Sequence, residues 1–206
     1  INRVTRRALR LRRRNAGRAA RVGPTLGSPD GPFALLEKVS AEVTKQPLTG
    51  GNDLVVLEGG DQAYPQMLDA IAGARHAVAL ASYIFRNDAA GRQFCDALIA
   101  AHRRGVRVRV LLDGVGAGYI YCPPLHRMRR GGVTAALFLH TWQPWRMPFL
   151  NMRNHRKLLV VDGALAFVGG INIGSENLSA QTRRRAIRDV HFKVRGPATR
   201  AVMDTF

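Results

Sequence analysis

Acidic residues are scarce in this chain: 14 Asp and Glu stand against 32 Lys and Arg, for a formal net charge of +18. An anionic partner is therefore the default expectation. No acid precedes Asp30, whereas Arg3, Arg6, Arg7, Arg10, Arg12, Arg13, Arg14, Arg18 and Arg21 all do. Such a block suits the anionic face of a bilayer, at about 1 kcal/mol per Arg or Lys near the surface. It suits nucleic acid equally well. Cysteine is nearly missing too. Cys95 and Cys122 lie far apart with no C-x-x-C, so neither a disulfide framework nor a zinc site is suggested. No uninterrupted apolar run approaches the roughly eighteen residues of a membrane span, and no signal peptide is visible. The chain begins at Ile1 rather than Met and breaks off at Phe206 inside a helix-like pattern, as expected of a piece of a longer protein.

What is present falls into two parts. Residues 1–22 lack a core pattern and are expected to be solvated when unbound. Residues 23–32, rich in Gly, Pro and Ser, read as a linker. Leu35, Leu36, Val39 and Val43 then recur at helical spacing. The expected division is 1–47, a basic tail, linker and helix, and 48–206, a folded domain. In that domain, strands are expected over 54–57, 76–85, 106–112, 133–139 and 189–194, with helices over 61–73, 89–104 and 125–130. Cys95 lies in the apolar pattern of the second of these helices and reads as core. Strands alternating with helices predict an α/β fold, with a mixed or mostly parallel sheet covered by helices on both faces. Gly114, Gly116 and Gly118 follow a strand as a dinucleotide-binding loop would. Their spacing is G-x-G-x-G, however, and residues 119–124 hold two prolines and make a poor helix start, so that reading is set aside.

The chemistry is concentrated in 154–172. Val160 and Val161 run into Asp162-Gly163, a hairpin-turn dipeptide, and an apolar run resumes at Leu165. With 155–161 as one strand, His155 and Lys157 project from the same face, roughly 6.7 Å apart along the backbone. An imidazole nitrogen can then act as nucleophile on a phosphate whose non-bridging oxygens face a fixed ammonium. Gly169-Gly170 would let backbone N–H groups approach an anion, and Asn172 adds a neutral amide donor. Read by itself, Asp162 is the hairpin turn.

Together these residues form H-x-K-x4-D-x6-G-G-x-N, which resembles the signature of the phospholipase D superfamily. Further segments resemble bacterial cardiolipin synthases: 48–52, 70–75, 82–88, 91–94, 104–113, 153–157 and 188–191. The likeness covers about three quarters of the chain and corresponds to the first of two catalytic halves. Many relatives carry an acid two residues before the Tyr83 position, where this chain has Ala81.

The resemblance implies a phospholipase D-like α/β fold and a pseudo-dimeric enzyme in which two half-sites meet. The second half would lie in the parent chain or in a homodimer partner. By this carry-over His155 is the nucleophile or its acid/base partner, and Lys157, Gly169, Gly170 and Asn172 hold the phosphate. Asp162 and Asp189 complete the catalytic set, Asp189 by orienting an imidazole; its plain alternative is a strand-end turn or an ion pair with Arg188. No cofactor or metal is implied. His191 is expected to be solvated, and His76, His102, His126 and His140 to be structural.

The leading expectation is phosphatidyl transfer that forms cardiolipin from phosphatidylglycerol, at the cytoplasmic face of a bacterial membrane. Anionic phospholipids would then be the partners. The alternatives are a homodimeric phosphodiesterase hydrolysing phospholipid or nucleic acid, and a non-catalytic basic module that binds membrane or nucleic acid.

Overall fold

The computed structural model describes residues 33–45, 48–118, 120–138, 153–179 and 187–206. The basic stretch 1–22, the linker 23–32 and His140 lie outside the described residues. The chain divides into Ile1–Gly51 and Asn52–Phe206. In the first unit, α1 (Ala34–Thr44) has no buried residue, and its apolar positions Leu35, Leu36, Val39 and Val43 are exposed.

The second unit is built on a seven-stranded sheet. Its strands are β1 (Asp53–Glu58), β2 (Ala77–Ser82), β3 (Arg107–Asp113), β4 (Thr134–Phe138), β5 (Leu158–Val161), β6 (Leu165–Gly169) and β7 (Val190–Arg195), in the order β1-β7-β6-β5-β2-β3-β4. Among the described residues only β2–β3 and β3–β4 pair as parallel strands; β2–β5, β5–β6, β6–β7 and β7–β1 are antiparallel. The sheet is mixed, and the expectation that it is mostly parallel is corrected. A parallel pair needs a crossover, and only α3 (Ala89–Arg103) and α4 (Pro123–Arg130) supply one here. The Asp162-Gly163 hairpin forces the next pair to be antiparallel, with Asp162 at φ 52° and Gly163 at φ 68°.

Helices form where capping and periodicity agree. Asp88 caps α3 by accepting the Gly91 N–H at 2.9 Å, and the Phe94, Leu98 and Ala101 stripe is buried. Pro123 and Pro124 open α4 instead of preventing it, because the first helical positions need no N–H.

The main core joins α2 (Gly59–Ala72), α3 and α4 to one face of the sheet, with Tyr64, Ile71, Phe94, Leu80, Leu112, Leu159 and Phe167 at its centre. On the opposite face Ala79, Ala81, Leu158, Val160, Ala166 and Val194 pack with Ala198 and Val202 of α5 (Ala198–Asp204). Among the described residues helices thus cover both faces, three on one and one on the other. β2 is buried on both faces, as its unbroken apolar run predicts.

Candidate active site

The registers bring five segments to one edge of the sheet. Ser82 pairs with Leu112, Leu158 with Ala81 and with Val168, and Gly169 with His191. Tyr83, Asp113, the segment His155–Lys157, Gly170 and Asp189 therefore cluster where these strands end.

β5 begins only at Leu158, so strand alternation does not set the relation of His155 to Lys157. Tyr83 sets it instead. Its ring centroid lies 4.1 Å from that of His155, with the planes inclined by 32°. The Lys157 ammonium stands 5.2 Å from the same ring centroid, within cation–π range, and donates to the His155 carbonyl at 2.9 Å. The His155 side is exposed while Lys157 is half-buried. Burial holds the Lys157 pKa below the ordinary lysine value, and Asp189 opposes that shift through its negative charge. The result is an accessible imidazole beside a partly desolvated cation.

Asp113 anchors this segment from below. Its buried carboxylate accepts the N–H groups of Val115 and Gly116, each at 2.9 Å, and that of Asn154 at 2.7 Å. One buried acid thereby ties the glycine loop to the residue preceding His155. Gly116 lies so close to Tyr83 that a Cβ there would collide with the Tyr83 carbonyl.

Asn172 has its Oδ1 occupied by the Ile84 N–H at 3.1 Å, so the group it can offer is its Nδ2 donor. Its carbonyl lies 2.6 Å from the Tyr64 hydroxyl, which also accepts from Gly174 N at 3.0 Å and Asn177 Nδ2 at 3.1 Å. Burial pushes the Tyr64 pKa up to about 12, against the lowering effect of its contacts with Gly174 and Asn177. Tyr64 is thus a neutral strut for the loop that carries Asn172.

Three expectations are corrected here. The Gly169 and Gly170 N–H groups do not face outward: they donate to the Lys157 carbonyl at 3.3 Å and the Val190 carbonyl at 2.9 Å. A Cβ on Gly169 would strike the Val190 backbone carbonyl, and one on Gly170 would displace the Asp189 carboxylate. Asp162 stands at the far end of β5, about 17 Å from Lys157 at the usual strand rise. Its carboxylate accepts from Arg75 N, His76 N and Ala77 N at 2.9, 2.7 and 2.8 Å. Burial acts to raise its pKa, and these three N–H groups together with His76 outweigh it, holding the acid below the usual carboxylate value. In this chain Asp162 is a structural cap, remote from the imidazole.

The third correction concerns His191, which is 1% exposed instead of solvated, and neither ring nitrogen has a hydrogen-bond partner. It lines a small cavity with Met67, Leu80, Lys157 and Ile171. Burial drives its pKa down to about 4, helped by Lys157 and opposed by Asp189. Asp189 itself lies against Gly170 and accepts the Val190 N–H at 2.7 Å.

Reading the residues in sequence missed Tyr83 as a contact of His155, as well as Asp113 and the burial of His191. The strand-to-loop junction after β2 marked Tyr83 only as a matching position. Among the described residues, no group of three or more His, Cys, Asp or Glu is arranged to hold a metal ion, and no helix is long and apolar enough to cross a membrane.

The architecture has solved counterparts. One is Nuc from Salmonella typhimurium, a phospholipase D family member, with TM-score 0.56 and 18% identity over 75% of this chain and 91% of that one. Another is the phosphatidylserine synthase of Haemophilus influenzae, with TM-score 0.57 and 16% identity over 74% of this chain and 35% of that one. These likenesses define a phospholipase D fold. The chain belongs to the family described as cardiolipin synthase, PLD-like domain, whose model matches residues 67–187, more than half of its length. It is also 38% identical over 176 residues to the cardiolipin synthase of Alkalihalophilus pseudofirmus, a match that covers 84% of this chain. The chain spans about a third of that relative's length.

Proposed function

We propose that this chain is one catalytic half of a phosphatidyltransferase that makes cardiolipin from phosphatidylglycerol through a phosphohistidine. The observation that carries the reading is an exposed His155 held against Tyr83, beside the partly desolvated Lys157 ammonium.

In the first step a His155 ring nitrogen attacks phosphorus. An N–P bond forms, the P–O bond to glycerol breaks, and the leaving alkoxide takes a proton. In the second step a hydroxyl of another phosphatidylglycerol loses its proton and attacks phosphorus, breaking the N–P bond. Lys157 and the Asn172 Nδ2 donor would neutralise the non-bridging oxygens in both steps. One imidazole cannot be nucleophile and leaving-group acid at once. A second H-x-K half, in cis or from another copy, supplies the acid/base histidine, and His155 could equally take that role. Asp189 would orient an imidazole across the boundary. No metal takes part in this scheme. The reaction would run at the cytoplasmic face of a bacterial membrane, with anionic phospholipids as partners.

The exposure of His155 favours a second reading, hydrolysis of phospholipid or nucleic acid with water as acceptor. Incubating the full-length protein with phosphatidylglycerol and with DNA, beside its His155→Ala variant, separates the two. Cardiolipin and free glycerol in equal amounts support transfer, and phosphatidic acid or cut DNA supports hydrolysis. Product formation that persists in the variant removes the phosphohistidine, and a protein that only binds either polymer or membrane is the non-catalytic module.

A further inference from the structure

The loop between β3 and α4 stands out among exposed apolar side chains. Ile120 is 80% exposed, Tyr121 67% and Val115 38%. Asp113 accepts the N–H groups of Val115 and Gly116, and a Cβ on Gly118, at φ 118°, would collide with the Tyr121 carbonyl. Tyr121, though exposed, stacks on His126 at 5.3 Å and 25°.

On the other flank of the site Ile187 is 55% exposed, just ahead of Asp189. Arg156, next to His155, and Arg188, next to Asp189, are exposed on the same edge. Of the acids at this end of the strands, Asp113 lies under the loop, Asp88 accepts from Gly91 N and Ser175 N, and Glu176 pairs with Arg86, while Glu58, opposite Val190, is exposed.

Apolar tips on both sides of an accessible imidazole, interspersed with cations, are the composition of a surface that settles into a headgroup layer. Scattered exposed apolar residues need no explanation; these flank one site. We infer that this edge docks on an anionic phospholipid bilayer, with Ile120, Tyr121 and Ile187 entering the acyl boundary and Arg156 and Arg188 meeting lipid phosphates. The inference rests on the phosphatidyltransferase reading above, since a diester anchored in a bilayer reaches His155 only if this edge faces the lipid.

The test uses the full-length protein and its Ile120→Asp/Tyr121→Asp double variant. Turnover is compared on dioleoyl phosphatidylglycerol vesicles and on monomeric dihexanoyl phosphatidylglycerol. The double variant should lose roughly tenfold or more on vesicles and stay within about twofold on monomers; Ile187→Asp should show the same pattern more weakly. Vesicle co-sedimentation, scored also in His155→Ala, reads docking without turnover, so docking can survive while the catalytic reading fails. Unchanged vesicle turnover and co-sedimentation overturn the inference. Loss on both substrates with dissociation of the two catalytic halves also overturns it, because the loop is then a protein contact.

Discussion

Tyr83 lies against His155 with ring centroids 4.1 Å apart. The contact covers one face of the imidazole and leaves its nitrogens at the ring edge available for in-line approach. An offset aromatic pair contributes about 0.5–1.5 kcal/mol beyond its buried area. Tyr83→Phe should therefore keep kcat on phosphatidylglycerol within about threefold, and Tyr83→Leu should lower it about tenfold. Equal losses in both variants would assign the effect to the hydroxyl and sink the stacking role.

Lys157 is expected to act as a fixed cation. Lys157→Met should lower kcat by about 10²–10³, with a smaller change in KM, because the charge on the phosphoryl oxygens grows in the transition state. The partial burial that lowers the Lys157 pKa also gives a pH signature. As pH rises through that depressed value the ammonium is lost, so the rate should fall at a lower pH than an ordinary lysine would require. Lys157→Arg cannot lose its proton in this range. Its residual activity should lack that alkaline limb, and a limb unchanged in the arginine variant would assign the titration elsewhere.

Asp162→Ala should destabilise the domain by about 2–3 kcal/mol, since three backbone N–H groups lose their acceptor at the start of β2. Its kcat, measured on folded protein at low temperature, should stay within twofold of the parent. A hundredfold fall in a fully folded variant would return Asp162 to the catalytic set.

His191 makes stability depend on pH. Its folded pKa of about 4 lies below the usual 6.5, so the unfolded chain binds the proton more readily. Stability from this residue is complete above about pH 6.5 and is lost as pH falls toward 4, about 3 kcal/mol in all. Urea titrations from pH 7 to 4 should show this loss and His191→Phe should reduce it. A parent and variant with the same pH slope would place the proton on other groups.

Much of the fold could be read from short-range pattern. The Phe94, Leu98 and Ala101 stripe, the double-sided burial of β2 and the Asp-Gly hairpin follow from periods of 3.6 and 2 and from turn chemistry, which are local. β7 shows where such reading fails. Alternation would bury Val190 and Phe192 and expose His191, yet Val190 and Phe192 are exposed and His191 is sealed in. Which face of a strand α2 covers is set by long-range packing, and no strand carries that information by itself. Pairing direction fails for the same reason, as it depends on which connections cross over.

From its sequence alone the chain determined which groups could do chemistry: an imidazole and an ammonium two residues apart, an amide at Asn172 and an Asp-Gly turn at 162–163. Covalent spacing holds in any conformation. Only the tertiary structure decided that Tyr83 and Asp113 join them where the strands end, while Asp162 is carried to the opposite end. The separation follows from β5 itself, whose extended backbone moves the two ends of the motif apart, while register brings residues distant in the chain to within a few ångströms.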